Sequence, residues 1–221
     1  DNSGVSTTNL CIIFNGNVVK LCSTDGHRAN IYEFCNETKL PFDGTFLVPC
    51  SSAKTIAKFL KGITGKIKVS ASNRILVIET GLGRFECTLS DLKYPDLWGK
   101  FFVGLSGFRI LFNTGEFLHA VKRTVSICDS LATKGTKATF ETGKITINSI
   151  NGGVGSHSEE IPACYSGKKK EVCLNPRYLL DFVTLIDSET TAIVTTGPLD
   201  PVYLAPGSSS NFFGVIMPMR T

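Results

Sequence analysis

The sequence predicts an α+β fold made of two similar units. Short apolar runs of strand composition, separated by turn residues, recur along most of the 221 residues. Three stretches interrupt them with the spacing of amphipathic helices. The two halves also align: FLVPCSSAKTIAKFLK matches VCLNPRYLLDFVTLID, and NGNVVKLCSTDG matches TGKITINSINGG. Pro49 and Pro176, like Gly26 and Gly152, stand roughly 126 residues apart, and a sustained offset marks an internal repeat.

Taken in order, residues 1–9 are small and polar and read as a frayed start. LCIIF and VVKLCS flank the Asn15-Gly16-Asn17 turn as a hairpin. TDGHRANIYEF is a turn entering a strand, and TFLV is a strand broken at Pro49. Residues 51–61 form a helix with Ser51 or Ser52 as its N-cap. KIKVSA, RILVIET and RFECTLSD are strands, and DLKYPDLWGK leads away as an irregular connector.

The second half repeats this order. Arg109–Phe112 is a strand, and Asn113-Thr114 caps a helix from about Gly115 to Ser130. KATFET, KITINSI, HSEEIPACY and EVCLN are strands, and Asn175-Pro176 opens a third helix with proline in the first turn, where it is tolerated. TTAIVTT, PVYLAP and FFGVIM complete the set. The second unit shows two helices and the first only one, so the first unit is expected to lack its opening helix.

Helical spacing assigns the faces. Ile56, Phe59 and Leu60 share one side of the first helix, opposite Lys54, Lys58 and Lys61. In the second, Phe117, Val121, Val125 and Cys128 face inward, and His119, Lys122, Arg123 and Ser126 face out. The third exposes Arg177, Asp181 and Thr184. A lysine face is either a solvated face or a sequence-blind surface for phosphates. No aromatics interleave with these lysines, so stacking on single strands is not indicated.

A hydrophobic content of 42% and a charged content of 19% describe a globular chain. No apolar run approaches the roughly 20 residues of a membrane helix, and no basic-then-apolar leader is present. The net charge of +4 permits contact with a polyanion without demanding it. The eight cysteines are widely spaced, without a CxxC pair, and most adjoin Ile, Leu, Val or Phe. They read as free thiols buried as small hydrophobes in a reducing compartment, the cytoplasm, with no zinc-ligand spacing.

One cluster is dense enough for chemistry, Thr24-Asp25-Gly26-His27-Arg28. Asp25 and His27 suit acid–base work. The same residues also make a tight turn, in which Thr24 or Asp25 caps the backbone and Arg28 pairs with a carboxylate. The turn is the better reading, because no second catalytic group is placed by sequence. There is no phosphate-binding loop and no nucleophile elbow. The residues describe a binding protein without cofactor or metal. At the other end, GVIMPMRT finishes a strand with two flexible methionines around a stiffening proline, either a fraying tail or the wall of an adaptable binding surface.

STDGHRANIYEF, FLVPCSSAKTIAKFLK, LKYPDLW, NTGEFLHAVKR, NPRYLLDF and the closing VIMPMR resemble, in that order, the bacterial DNA polymerase III beta subunits, the sliding clamps. The resemblance runs through essentially the whole chain after residue 10, and TDGHR with a terminal MPMR is a specific pair. It implies a repeated processivity-clamp fold, antiparallel sheets with two helices per repeat. Residues 1–103 correspond to the second of three repeats without its first helix, and residues 104–221 to the third.

The resemblance further implies a non-enzymatic clamp. Two protomers of the full-length protein close head to tail around double-stranded DNA and tether the replicative polymerase, the clamp loader and repair proteins by short linear peptides. The peptide pocket, between the second and third repeats in the family, corresponds to Thr24, Gly26, His27, Arg28, Ala29, Pro95, Asn175, Tyr178, Leu199, Pro201, Val215, Met217, Pro218, Met219 and Arg220. Helices lining the family's ring carry Lys54, Lys58, Lys61, Lys122, Arg123 and Arg177 here, which implies non-specific phosphate contacts. Ala29 stands where the family has Leu, Trp98-Gly99-Lys100 departs from its connector, and Thr221 replaces a terminal Leu. The alternative is a ring-less adaptor that keeps only the peptide pocket.

Overall fold

The computed structural model describes residues 8–97, 109–128, 135–151, 155–208 and 211–220. The chain divides into two compact units, Asp1–Leu97 and Trp98–Thr221. The expected boundary between residues 103 and 104 lies outside the described residues, as do Trp98, Gly99, Lys100 and Thr221.

The first unit runs β1 (Asn9–Asn15), β2 (Val18–Thr24), β3 (Arg28–Cys35), β4 (Gly44–Pro49), α1 (Cys50–Leu60), β5 (Lys68–Ala71), β6 (Ile75–Thr80) and β7 (Gly83–Thr88). Antiparallel pairing gives the order β4-β1-β2-β3, and β5-β6-β7 form a separate three-stranded sheet. Alternation along the strands buries Ile12, Phe14, Val19, Val48, Leu76 and Ile78 in one core. Phe14 anchors it edge-on to Phe42 and Phe46, with ring centroids 5.0 and 5.7 Å away.

Helix α1 turns Ala53, Ile56, Phe59 and Leu60 toward this core, as its spacing predicts, although none of its residues is fully buried. Its start differs from expectation. Pro49 is the N-cap, with no side-chain capping bond, because the strand runs directly into the helix. Ser51 and Ser52 therefore lie inside the first turn, where a serine hydroxyl cannot cap.

The second unit runs β8 (Arg109–Asn113), α2 (Thr114–Ile127), β9 (Thr136–Glu141), β10 (Lys144–Asn151), β11 (Gly155–Cys164), β12 (Lys170–Leu174), α3 (Pro176–Val183), β13 (Thr190–Val194), β14 (Val202–Pro206) and β15 (Phe212–Ile216). Its strands pair in the order β12-β9-β10-β11-β8-β13-β14-β15. This repeats the first unit: β12-β9-β10-β11 has the order of β4-β1-β2-β3, and β13-β14-β15 that of β5-β6-β7. Strand β8 joins the two sets, pairing with β11 on one side and β13 on the other.

Both helices of this unit are capped as predicted. The Asn113 side chain accepts the Glu116 N–H at 3.0 Å, and Asn175 accepts the Arg177 N–H at 2.9 Å. The apolar faces of α2 and α3 close over Ile110, Phe140, Ile145, Ile147, Ile193 and Leu204. Phe117 and Val121 are buried, Val125 is half-buried, and Ala120 and Thr124 join them. Cys128 is only half-buried and lies 3.8 Å from the Thr136 hydroxyl, because the end of α2 covers a polar seam. All eight cysteines are free. Cys11, Cys22, Cys87 and Cys173 are buried, whereas Cys35, Cys50 and Cys164 are exposed, against the expectation that most would be interior. Among the described residues no helix is long and apolar enough to cross a membrane.

Candidate functional site

The turn between β2 and β3 is built by its own side chains. The Thr24 hydroxyl donates to the Arg28 carbonyl at 2.7 Å and accepts the Gly26 N–H at 3.1 Å. One Asp25 carboxylate oxygen accepts the His27 and Arg28 N–H groups, both at 3.0 Å, and the other accepts Arg28 Nε at 2.9 Å. Gly26 has φ +89°, a left-handed conformation that a side chain would strain. Burial pushes the Asp25 carboxyl up, but these hydrogen bonds outweigh it and hold it below the usual carboxylate range.

Both Asp25 carboxylate oxygens are thus engaged by the turn itself, one by two backbone N–H groups and the other by Arg28 Nε. His27 stands exposed at the tip, Arg28 is half-buried, and Ala29 is 3% exposed. Of the expected connector, residues 91–97 are largely irregular and belong to the first unit. Leu97 is buried and donates its N–H to the Pro95 carbonyl at 2.8 Å. Burial drives the phenol pKa of Tyr94 upward, and the charges of the facing pair Cys22 and Cys11 add to the effect. The same burial raises Cys11 to about 12 and Cys22 to about 11, so both thiols are inert. Pro95 itself is half-buried.

In the second unit three segments converge. The register Val202↔Ile216 sets Pro201 and Met217 side by side at the ends of β14 and β15. Beyond Pro218, the Met219 N–H donates to the Cys173 carbonyl at 2.8 Å, which ties the tail to the end of β12. Two residues past Cys173, Asn175 opens α3, and the Tyr178 N–H returns to its carbonyl at 3.1 Å. Val215 is buried, Met217, Pro218, Met219, Asn175 and Tyr178 are half-buried, and Arg220 is exposed. Leu199, on the β13–β14 loop, is 65% exposed. The tail is a docked element, not a frayed end.

The basic residues fall into two groups. Lys54, Lys58 and Lys61 are exposed along α1, Lys122 on α2 and Arg177 on α3, and none has an ion pair among the described residues. Arg123 is exposed too, but its guanidinium clasps Glu159 of β11 through both Nε, at 2.9 Å, and Nη2. Those hydrogen bonds, opposed by burial, hold Glu159 below the usual carboxylate range. Glu159 also contacts His157 Nε2 at 3.1 Å, and His157 Nδ1 lies 3.2 Å from the hydroxyl of Thr124, a residue with no exposed surface.

The family model for the central domain of the DNA polymerase III beta subunit matches residues 5–96, and that for its C-terminal domain matches residues 108–220. The chain belongs to the DNA polymerase III beta subunit family. A beta sliding clamp of Pseudomonas putida is 22% identical over 204 residues, 92% of this chain and 55% of the relative. One from Streptomyces coelicolor is 27% identical over 209 residues, 90% of this chain and 53% of the relative. The chain therefore spans about half the length of these relatives.

Among solved structures, a Pseudomonas aeruginosa sliding clamp with a ligand superposes with a TM-score of 0.90 at 21% identity, over 97% of this chain and 58% of that one. Another from the same organism, bound to griselimycin, gives 0.91 at 20% identity, over the whole of this chain and 59% of that one. The fold is that of the sliding clamps.

Within this clamp-family fold, the sequence motifs locate the turn and the tail but miss their supports. Cys173, whose carbonyl holds the tail, carries no motif. Glu159 and His157 were legible only as an i, i+2 pair on one face of a strand, without the helix that meets them. Among the described residues no group of three His, Cys, Asp or Glu side chains converges as a metal site.

Proposed function

We propose that this chain is part of a DNA sliding clamp, a non-enzymatic processivity factor in which two protomers of the complete protein encircle duplex DNA. In this reading Lys54, Lys58, Lys61, Lys122 and Arg177 attract phosphates without reading sequence, and Arg123 contributes less because Glu159 neutralises it. Asn175, Tyr178, Leu199, Pro201, Val215, Met217, Pro218, Met219 and Arg220 of the second unit take the linear peptides of a replicative polymerase, a clamp loader and repair proteins; Thr24, Gly26, His27, Arg28, Ala29 and Pro95 of the first unit are the further peptide contacts that the family resemblance implies.

The observation that carries the peptide reading is the docking of the tail. A half-buried Met-Pro-Met run held beside Asn175 and Tyr178 offers an adaptable apolar surface with polar groups at its rim, which suits a short hydrophobic peptide. The test is binding of a fluorescent peptide with a glutamine and a Leu-Phe end to this chain, with and without residues 217–221. Micromolar binding that vanishes with the tail is expected. Absence of binding by the intact chain overturns the peptide reading.

A further inference from the structure

The tail is held at a junction that no motif marks. Cys173 is its centre: its carbonyl takes the Met219 N–H at 2.8 Å, and its thiol lies against Gly135, immediately before β9. Gly135 lies so close that a Cβ there would stand 2.6 Å from Cys173 Sγ, 2.7 Å from Met219 Sδ and 2.9 Å from the Leu174 carbonyl oxygen. Its φ lies outside the left-handed region, so the requirement is for space and not for conformation.

The three neighbours do not yield equally. Leu174 pairs with Thr136 in the β12–β9 ladder, and Cys173 with Lys137, so a shift of that backbone would disturb the ladder. The end of a methionine side chain moves far more readily. A methyl group at position 135 therefore pushes on Cys173 Sγ, Met219 Sδ and the Leu174 carbonyl oxygen together, and opens the junction where the tail meets the end of β12.

We propose that Gly135 is a positioning residue: with Cys173 it forms the seat that fixes Met217, Pro218 and Met219 beside Asn175 and Tyr178. The seat stands on the geometry of the second unit alone; its consequence for peptide affinity rests on the proposed function above.

The experiment compares Gly135→Ala with the wild-type 221-residue chain, by residue-resolved amide exchange and by binding of the fluorescent peptide. In the wild type the Met219 amide is expected to be protected and that of exposed Arg220 not. In Gly135→Ala the Met219 amide loses protection by roughly tenfold or more while the β9 and β12 amides beyond the Leu174–Thr136 pair keep theirs. Peptide affinity falls about tenfold or more, as when a central anchor is removed. Retained Met219 protection in Gly135→Ala, or unchanged peptide affinity once the tail is released, overturns the proposal. Should the variant not fold, the wild type decides: an unprotected Met219 amide sinks the seat, and a protected one supports it. If Met219 is protected and then released by the substitution, but the wild type binds no peptide, the seat stands and the peptide reading falls.

Discussion

Arg123 and Glu159, 36 residues apart in sequence, are joined by two guanidinium–carboxylate hydrogen bonds between α2 and the face of β11 that turns toward it. The pair decides which cations of α2 remain available to a polyanion. Lys122, on the same exposed surface, keeps its charge unpaired among the described residues, whereas Arg123 is electrically cancelled where it stands. Glu159→Gln is therefore expected to strengthen binding to duplex DNA several-fold at low salt, with the gain shrinking as salt rises. Fluorescence anisotropy at two salt concentrations checks it. An unchanged affinity would mean that Arg123 does not face the phosphates.

The lysines of α1 make a sharper claim. If Lys54, Lys58 and Lys61 each neutralise a phosphate, replacing one by Gln lowers the slope of log affinity against log salt by about 0.9. Because all three are exposed and support no packing, each change should leave unfolding stability within about 0.5 kcal/mol of wild type. A salt titration of the triple variant that reproduces the wild-type slope would remove α1 from the DNA surface.

Helix capping distinguishes the three helices. Asn113→Ala and Asn175→Ala each remove an acceptor from a first-turn N–H and should cost about 1 kcal/mol in denaturant unfolding. Ser51→Ala, at a position the sequence offers as a cap but the fold places inside the helix, should cost little. An equal loss at Ser51 would return the cap to that residue.

The turn between β2 and β3 has a definite pH response. The Asp25 pKa is lowered in the fold, so its contribution to stability is fully present above the unfolded value of about 3.9 and is lost as pH falls through the lower folded value. A carboxyl titration followed by NMR should give a midpoint below about 3.9. Arg28→Ala should move that midpoint upward by removing the Nε hydrogen bond. A midpoint insensitive to Arg28 would show that the backbone N–H groups of His27 and Arg28 suffice.

The strands, the helices and their inward faces were legible in the sequence, because alternation and helical spacing are local consequences of where apolar side chains must go. So was the repeat, since Pro49 and Pro176 end equivalent strands. The two prolines nonetheless play different parts: Pro176 lies inside the first turn after a capping Asn175, whereas Pro49 is itself the uncapped N-cap. The residue beside each proline, Asn in one case and Val in the other, sets the difference.

What the sequence by itself determined is therefore the class of fold, the faces of its helices, the family, and the turn at Thr24–Arg28, which is built by hydrogen bonds that close within five residues. Only the tertiary structure decided which charges are spent and which segments are held. Arg123 meets Glu159 and Met219 meets Cys173 through contacts between residues far apart along the chain. No periodicity records such pairs, because each depends on where two separately formed elements come to rest.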